Sequence, residues 1–200
     1  MAKEALIVFQ KNIVKGKVKT RLAQSLGEEK TLQIYQFLVD KTFREVNKIT
    51  PEVYVFFSDF LPENHFEPKY HLRIQKGEDL GEKMKLAFEE VFALGYNKAV
   101  IIGTDCPEIT AEILDQAFDL LDRTDLVVGP AKDGGYYLLG MKTNHFFLFR
   151  EIPWSTSHVF SRTLEKAESN GLNYSILPTL SDIDREEDWN KFITQNPKYE

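Results

Sequence analysis

Short apolar runs alternate with stretches of helical periodicity along the chain. The runs 5–9 and 99–102 are continuously apolar, which is typical of parallel strands buried on both faces of a sheet. This order predicts an α/β fold, with a mostly parallel sheet and helices on both faces. Predicted strands cover 5–9, 53–57, 72–75, 99–102, 125–128, 136–141 and 174–177; predicted helices cover 28–47, Met84 to Gly95, Ile113 to Leu121, Val159 to Ala167 and 186–192.

The predicted strand 136–141 departs from this alternation. It follows strand 125–128 through a connection too short for a helical crossover, so we expect it to be antiparallel or to lie elsewhere in the sheet. The sheet is therefore predicted to be mixed. Ligands of such sheets bind beyond the carboxyl ends of the strands, so functional residues are expected there.

Composition restricts the class of protein. A length of 200 residues suits a single domain, 1–200, with a substantial core. No apolar run approaches the ~18 residues of a membrane span, and the apolar start is too short for a signal peptide, so a cytoplasmic protein is expected. The net charge of −6 argues against nucleic-acid binding.

Two residue types exclude some metal sites. A single cysteine, Cys106, rules out an internal disulfide and a cysteine-rich zinc site. The histidines have no spacing that suggests a metal site, and none is assigned a catalytic role; they are His65, His71, His145 and His158.

Positive charge is concentrated in one segment after the first predicted strand. A strand, a basic glycine-containing loop and a helix N-terminus are together typical of a phosphate site, and Lys19 and Arg21 can add charge-assisted hydrogen bonds. A solvated lysine-rich loop would have the same composition, and one glycine is too few for a nucleotide-binding fingerprint. The segment contains Lys11, Lys15, Gly16, Lys17, Lys19 and Arg21.

Asp105 lies just past the predicted central strand, within the segment Gly103-Thr104-Asp105-Cys106-Pro107. A carboxylate at this point is well placed to hold a hard cation such as Mg²⁺ against phosphate oxygens. The alternative is a helix cap, but Thr110, with Glu112 after it, is the better cap for the next helix. Cys106 is interpreted as a small buried filler.

Three further segments allow both a structural and a functional interpretation. Asp133-Gly134-Gly135 predicts either a plain hairpin turn or a close backbone approach to a ligand. Ser155 or Thr156 is predicted to cap the helix that begins near His158. A carboxylate of the segment Asp182–Asp188 completes a metal shell, or else Asp184 caps the helix of the tail.

Six ordered segments, between Ala5 and Asp188, together resemble a known family. They are Phe9–Leu22, Gly77–Met84, Ile102–Pro107, Gly129–Gly140, Ile152–Thr156 and Asp182–Asp188. These are similar to the motifs F-A-K-x-P-x-x-G-x-V-K-T-R-L, G-x-D-L-G-E-R-M, I-G-T-D-C-P, G-P-A-x-D-G-G-Y-Y-L-x-G, I-P-W-S-T and D-I-D-x-x-E-D of the bacterial DUF2064 group of glycosyltransferases. That group belongs to the GT-A nucleotide-diphospho-sugar transferase superfamily, which also contains nucleotidyltransferases.

The resemblance implies a Rossmann-like GT-A fold and a role for each motif residue. The catalytic residues would be Asp105, Asp133, Lys19 and Arg21. The diphosphate would be bound by Lys11, Gly16, Lys19 and Arg21, and the nucleobase by Gln75 and Gly81. The metal would be held by Asp105 and Asp184. The sugar or acceptor side would be lined by Asp133, Gly134, Gly135 and Trp154.

Three functions follow as hypotheses. The first is sugar transfer from a nucleotide-sugar to an unknown small acceptor, with Mg²⁺ or Mn²⁺ on Asp105 and with Asp133 as acceptor base. The second is transfer of a nucleoside monophosphate from a nucleoside triphosphate to a small phosphate or sugar phosphate. In both, Lys19 and Arg21 would stabilise the phosphate leaving group. The third is a non-catalytic nucleotide-binding protein, and the oligomeric state, including a homodimer, is left open.

Overall fold

The computed structural model describes residues 3–63 and 67–199, so the expectation for His65 falls outside the described residues. Within those ranges, none of the helices combines the length and apolar character needed to cross a lipid bilayer. The strands are β1 (Glu4–Gln10), β2 (Glu52–Phe57), β3 (His71–Ile74), β4 (Lys98–Gly103), β5 (Leu126–Pro130), β6 (Tyr136–Met141) and β7 (Tyr174–Ile176). The helices are α1 (Thr20–Val46), α2 (Leu80–Ala93), α3 (Ala111–Leu120), α4 (Val159–Ser169) and α5 (Glu186–Gln195), with 3₁₀ helices at Phe146–Phe149 and Pro197–Tyr199.

The described strands form one seven-stranded sheet in the order β3-β2-β1-β4-β6-β5-β7. Strand β1 pairs in parallel with β2 and β4, and β2 pairs in parallel with β3. Strand β6 lies between β4 and β5 and is antiparallel to both, whereas β5 and β7 are parallel. The predictions of an α/β fold with a mixed sheet and of an antiparallel strand at 136–141 are thus confirmed.

Both faces of the central strand β1 are covered. Leu6 packs in a cluster with Leu114 of α3, whereas Ile7 packs in a separate cluster with Phe88 of α2. All four side chains are 0% exposed. Because neighbouring residues of a strand face opposite sides, burial on both sides accounts for the continuous apolar run. Each such side chain contributes ~1.5–3 kcal/mol of hydrophobic stabilisation.

Helix α1 begins at Thr20, so the helix start predicted near Leu22, after the basic loop, and the periodic helix predicted at 28–47 belong to one element. Gly27 adopts φ 75° and ψ 160°, which interrupts the helix between the two positions. Leu22 before the interruption and Leu38 after it still pack in one cluster with Phe192 of α5. The break divides the apolar pattern, so the clear periodicity starts only beyond it.

The cap predicted for α3 is confirmed, and those predicted for α4 are wrong. Thr110 caps α3 by accepting a backbone N–H with its hydroxyl. The N-cap of α4 is His158, whose side chain makes no capping bond. Thr156 donates its hydroxyl to the Pro153 carbonyl and accepts the N–H of His158. Ser155, with φ 64°, is in the left-handed region, so this segment forms its own turn ahead of the helix.

Candidate functional site

A cleft of about 720 Å³ opens at the carboxyl ends of β1 and β4. The amino end of β6 reaches the same edge because β6 runs opposite to β4. Residues 154–157 and two aspartates of the segment 182–184 complete its walls. Open α/β sheets bind their ligands at this edge, so the strand topology gathers the functional residues on one side of the molecule.

Most residues that the sequence marked as functional line this cleft. They are Lys11, Lys19, Arg21, Gln75, Asp105, Asp133, Gly135, Trp154 and Asp184. Three glycines lie outside its lining: Gly16, Gly81 and Gly134.

Gly134 packs against the segment that precedes α4, next to the residues that line the cleft. It adopts φ 90°, and a Cβ at this position would lie 2.2 Å from the carbonyl oxygen of Ser157. Its own carbonyl accepts the N–H of Phe160 in α4. Only glycine therefore allows the β5–β6 turn to pack against the segment that precedes α4. Gly16 lies beside the carboxylate of Glu28, on the outer part of the basic loop.

Lys19, Asp105 and Asp184 form the electrostatic centre of the cleft. The Lys19 Nζ lies 3.0 Å from the Asp105 Oδ1 and 2.7 Å from the Asp184 Oδ1. The Lys19 side chain is only 5% exposed, against 41% and 43% for the two carboxylates. Burial alone would lower the pKa of Lys19, but the two carboxylates outweigh it and raise that pKa. Asp184 binds Lys19 and does not cap α5, whose N-cap is Arg185.

Lys19 also has an unusual backbone conformation. It is the N-cap of α1 and adopts φ 46° and ψ 49°, without a side-chain capping bond. A left-handed conformation of a residue other than glycine costs roughly 1–2 kcal/mol. Such conformations cluster at functional sites, where the surrounding contacts hold them. Here the two ion pairs of Lys19 are such contacts.

Asp182 is a further acidic residue of the cleft, and the sequence analysis included it only as one of the carboxylates of the 182–188 segment. Burial, followed by the charge of Asp105, raises the pKa of Asp182 to about 7. Its Oδ1 is buried and has no hydrogen-bond partner among residues 3–63 and 67–199. Ile183 between the two aspartates is 1% exposed and packs in the core, so Asp182 and Asp184 are left to line the cleft. The N–H of Ile183 donates to the Asp105 carbonyl at 3.0 Å and joins the two acidic segments.

Tyr35 of α1 fixes the loop after β1, a role that no sequence pattern indicated. Its hydroxyl accepts the N–H of Lys11 at 3.0 Å and donates to the Lys11 carbonyl at 3.2 Å. It also lies 3.1 Å from the Thr104 hydroxyl. Burial, followed by the charge of Asp105, raises the pKa of Tyr35 to about 12, so the phenol stays protonated. A helical position that only looks apolar in sequence thus holds the basic loop beside the Asp105 segment.

Cys106 is buried, as its interpretation as a core filler requires. Burial raises the pKa of its thiol well above the usual value. A protonated thiol is a poor nucleophile and a poor metal ligand. The buried, protonated thiol thus fits the interpretation of Cys106 as a filler beside the site.

Gln75 presents one defined polar atom to the cleft. Its backbone N–H donates to the Phe57 carbonyl at 2.8 Å, and its Nε2 donates to the Phe56 carbonyl at 2.9 Å. Within the described part of the chain, the Oε1 has no hydrogen bond. Because the amide nitrogen is bound to the sheet, the side chain offers an acceptor.

Gly81 and Trp154 form a close contact at one end of the cleft. A Cβ on Gly81 would lie 2.2 Å from the Trp154 indole. The indole also stacks on Phe149, with ring centroids 6.4 Å apart. Gly81 thus sets the depth at which the indole sits, and Trp154 forms the wall itself.

Asp133 and Gly135 lie on the turn between β5 and β6. The Asp133 Oδ1 accepts the N–H of Gly135 at 2.8 Å, which fixes the carboxylate on its own turn. The hairpin and the ligand-facing interpretations of this segment are therefore compatible, because the same turn lines the cleft.

The acidic residues fit a cation that is shared with a ligand. In residues 3–63 and 67–199, no three carboxylate, histidine or cysteine side chains are arranged to hold a metal ion. Asp105 and Asp184 nevertheless converge on one cationic group, and Asp182 adds a buried oxygen without a partner. Mg²⁺ is commonly held by one or two carboxylates together with substrate phosphates and water. The donor set fits a metal of that kind.

Comparison with known proteins identifies related sequences. Residues 43–156, more than half of the chain, match the family described as "Uncharacterized protein conserved in bacteria (DUF2064)". A 2-phospho-L-lactate guanylyltransferase from Methanocaldococcus fervens is 25% identical over 159 residues, which make up 80% of this chain and 70% of that protein.

Solved structures share the fold. A Desulfovibrio desulfuricans G20 protein, described as a candidate nucleotide-diphospho-sugar transferase, has a TM-score of 0.92 and 29% identity, over 98% of this chain and 88% of that one. The Rv0371C protein of Mycobacterium tuberculosis H37Rv, solved in complex with manganese, has a TM-score of 0.60 and 13% identity, over 96% and 98% of the two chains. The expected Rossmann-like fold and the transferase class are confirmed. The guanylyltransferase relative favours nucleotidyl transfer over sugar transfer.

Proposed function

The chain belongs to the bacterial DUF2064 family, and from that premise we propose that it is a metal-dependent nucleotidyltransferase. It would transfer a nucleoside monophosphate from a nucleoside triphosphate to a small phosphate-bearing acceptor and release pyrophosphate. The observation that carries this proposal is the convergence of Asp105 and Asp184 on one cationic group beside a basic loop. The similarity to a guanylyltransferase supports GTP as the first donor to test.

The triphosphate would bind along the loop after β1. Lys11, Lys17 and Arg21 are exposed and line the cleft, in a chain whose net charge is −6. This local excess of positive charge favours an anionic ligand. Arg21 can bind phosphate oxygens in a bidentate manner, which a lysine cannot do. The contacts of Tyr35 with Lys11 hold one end of the loop in place before the ligand arrives.

Asp105 and Asp184 would hold Mg²⁺ or Mn²⁺, with Asp182 as a further oxygen donor. When bound, the metal supplies neutralisation of the negative charge that develops on the pyrophosphate. The hydrogen bond from Ile183 to the Asp105 carbonyl keeps the two acidic segments adjacent. Manganese in the structure of the Mycobacterium tuberculosis neighbour supports the choice of cations to test.

Gln75 would contact the nucleobase. Its free Oε1 can accept a hydrogen bond, while its Nε2 is bound to the sheet. Guanine presents N–H donors at N1 and at its exocyclic amine, whereas adenine presents a donor at its exocyclic amine and an acceptor at N1. An Oε1 that faces N1 would pair with guanine and repel adenine, so the orientation of this amide makes GTP against ATP the comparison to test.

The acceptor would bind between the β5–β6 turn and Trp154. A phosphate acceptor is already ionised at neutral pH, so it needs no general base, and Asp133 would then orient it. Sugar transfer to a hydroxyl would need Asp133 as the base. The similarity to the candidate nucleotide-diphospho-sugar transferase keeps sugar transfer as the second candidate function.

One assay separates these functions. The purified protein is incubated with Mg²⁺ and either GTP plus small phosphorylated hydroxy acids, including 2-phospho-L-lactate, or a panel of nucleotide-sugars. Nucleotidyl transfer predicts pyrophosphate release that depends on the acceptor. Release of a nucleoside diphosphate from a nucleotide-sugar would favour the second candidate. Nucleotide binding with neither release would identify a non-catalytic binding protein.

The Asp105→Asn variant tests the site itself. Loss of the carboxylate charge is expected to lower kcat/KM at least about 100-fold, as for other groups that stabilise developing phosphate charge. Asp115→Asn, which removes an exposed carboxylate of α3 outside the cleft, is the matched control and should retain the rate. Equal rates for the two variants would contradict the assignment of Asp105.

A further inference from the structure

We propose that Lys19 is an internal counter-ion of the metal site: its ammonium holds Asp105 and Asp184 in the metal-free protein and competes with a divalent cation for them. The inference rests on the proposed function, from which it takes the two carboxylates as metal ligands. It gives Lys19 a different role from the permanent phosphate contact that the family resemblance implies.

The ion pairs leave half of each carboxylate available. The Lys19 Nζ lies 3.0 Å from the Asp105 Oδ1 and 2.7 Å from the Asp184 Oδ1. In the part of the chain that the structure describes, the Oδ2 atoms of Asp105 and Asp184 make no hydrogen bond. An incoming cation can therefore reach a free oxygen on each carboxylate, but it must share both groups with the ammonium.

The Lys19 ammonium and its two carboxylate partners differ in burial. The Lys19 side chain is 5% exposed, while both carboxylates are more than 40% exposed. The ammonium is therefore enclosed and the carboxylates are open to a dissolved ion. Lys11, Lys17 and Arg21, in contrast, are exposed on the cleft and can contact phosphate without leaving an ion pair with these two aspartates.

Electrostatic repulsion makes the Lys19 ammonium and a divalent cation compete for the two carboxylates. Two carboxylates with one ammonium carry a net charge of −1, and without the ammonium they carry −2. A divalent cation is repelled by an ammonium that lies within hydrogen-bond distance of both its ligands, and the repulsion is strong where water is scarce. The metal-free protein should thus bind a divalent cation weakly.

A nucleoside triphosphate changes that balance. Its phosphates add negative charge beside the aspartates and offer a new partner to the displaced ammonium. Metal and nucleotide should therefore each strengthen the binding of the other, by the same factor in both directions. In this way Lys19 would discourage binding of the metal in the absence of the nucleotide.

The opposite role for Lys19 is a fixed support for the two carboxylates. If the ammonium only held them in position, its removal would let the like charges separate and would weaken metal binding. The sign of the change in metal affinity therefore distinguishes competition from support, whatever the change in activity.

The experiment is a titration of metal-free protein with Mn²⁺ alone, followed by electron paramagnetic resonance of the free ion. Lys19→Met is expected to bind Mn²⁺ at least about tenfold more tightly than the wild type. Lys19→Arg, which keeps the charge, should resemble the wild type. Lys17 lines the same cleft but has no ion pair among the described residues. Lys17→Met should therefore change the affinity for Mn²⁺ less than about threefold. With saturating GTP, the advantage of Lys19→Met should disappear.

Unchanged or weaker Mn²⁺ binding by folded Lys19→Met would overturn the proposal, as would a gain equal to that of Lys17→Met. Thermal melts establish that each variant is folded. If Lys19→Met does not fold, Mg²⁺ titration of the wild type by NMR of its lysine ammonium groups decides. A Lys19 signal that shifts with Mg²⁺ occupancy supports competition, and one that stays constant contradicts it.

The outcomes also separate this inference from the proposed function. Tighter Mn²⁺ binding without any pyrophosphate release would support the counter-ion and contradict the nucleotidyltransferase. If the wild type releases pyrophosphate but Lys19→Met binds Mn²⁺ no more tightly than the wild type, the nucleotidyltransferase is supported and the counter-ion is contradicted.

Discussion

At the scale of single residues, the Asp182 carboxyl makes one contribution to the pH dependence of stability that a single variant can test. Its pKa is raised to about 7 by burial and then by Asp105, whereas an aspartate in an unfolded chain has a pKa of ~3.9. Between these values the folded protein holds a proton that the unfolded chain has released. The contribution of Asp182 to the free energy of unfolding is therefore fully present below the unfolded pKa and is lost as the pH rises through about 7.

The Asp182→Asn variant tests this pH dependence. In metal-free buffer, its free energy of unfolding should exceed that of the wild type by about 1–2 kcal/mol near pH 8, because the amide carries no charge to bury. The difference should narrow towards pH 5. Urea titrations at several pH values measure this difference. The comparison removes the contribution of carboxyls with lowered pKa that both proteins retain and that Asp182 does not influence, such as Glu45. Parallel pH profiles would contradict the assignment.

Gln75 provides a second test at this scale. Gln75→Leu removes the acceptor oxygen that is proposed to contact guanine, so kcat/KM for GTP should fall about tenfold, the usual effect of one hydrogen bond. The ratio of kcat/KM for GTP to that for ATP should fall with it. Gln33→Leu, at an exposed position of α1 outside the cleft, should alter neither value. Retained preference for GTP in Gln75→Leu would place base recognition elsewhere.

At the scale of elements, the contact of Gly81 in α2 with Trp154 ties the helix to the segment before α4. Gly81→Ala should lower the free energy of unfolding by about 1–3 kcal/mol, the usual cost of overpacking, because the new Cβ would lie 2.2 Å from the indole. In a Trp154→Ala background the same change should cost less than about 1 kcal/mol. Urea denaturation of the four proteins measures the coupling, and an equal cost in both backgrounds would refute it.

Elements that depend on local pattern were predictable from the sequence. The buried strands, the antiparallel β6 and the Thr110 cap follow from periodicity, connection length and capping chemistry. The position of Asp105 at the carboxyl end of a central strand follows from the same topology. For these features the tertiary structure agrees with the local preference of the chain.

Features that depend on distant contacts were not predictable. Tyr35 lies in an apolar helical pattern, and only the folded structure brings its hydroxyl to Lys11 and Thr104. The ion pairs of Lys19 join residues that are far apart in the chain. Asp182 and Asp184 are equivalent in the sequence, and only the folded structure shows that Asp184 forms the ion pair with Lys19. The cap of α4 failed as a prediction because Ser155 takes a left-handed conformation that a propensity argument does not anticipate.

At the scale of the whole molecule, ligand binding should appear as thermal stabilisation. With Mg²⁺ and GTP at about 100 times its dissociation constant, linkage adds about 2.7 kcal/mol. For a chain of 200 residues, this corresponds to a rise in Tm of about 5–11 °C. Differential scanning fluorimetry measures it. Asp105→Asn should lose the part of the rise in Tm that depends on Mg²⁺, whereas Asp115→Asn should keep it. A rise in Tm that is independent of Mg²⁺ would argue against a metal shared between the protein and the nucleotide.

The insertion of antiparallel β6 between β4 and β5 divides the cleft between two halves of the chain. Residues before β5 supply the proposed donor side, from Lys11 to Asp105, and residues after β5 supply the proposed acceptor side, from Asp133 to Trp154. Mutations that accumulate in the second half can therefore alter acceptor choice during evolution while the donor chemistry is inherited intact. The 182–184 segment crosses back to the donor side, where the Ile183 N–H donates to the Asp105 carbonyl. Divergent members of such a lineage should therefore keep its aspartates even where their acceptors differ.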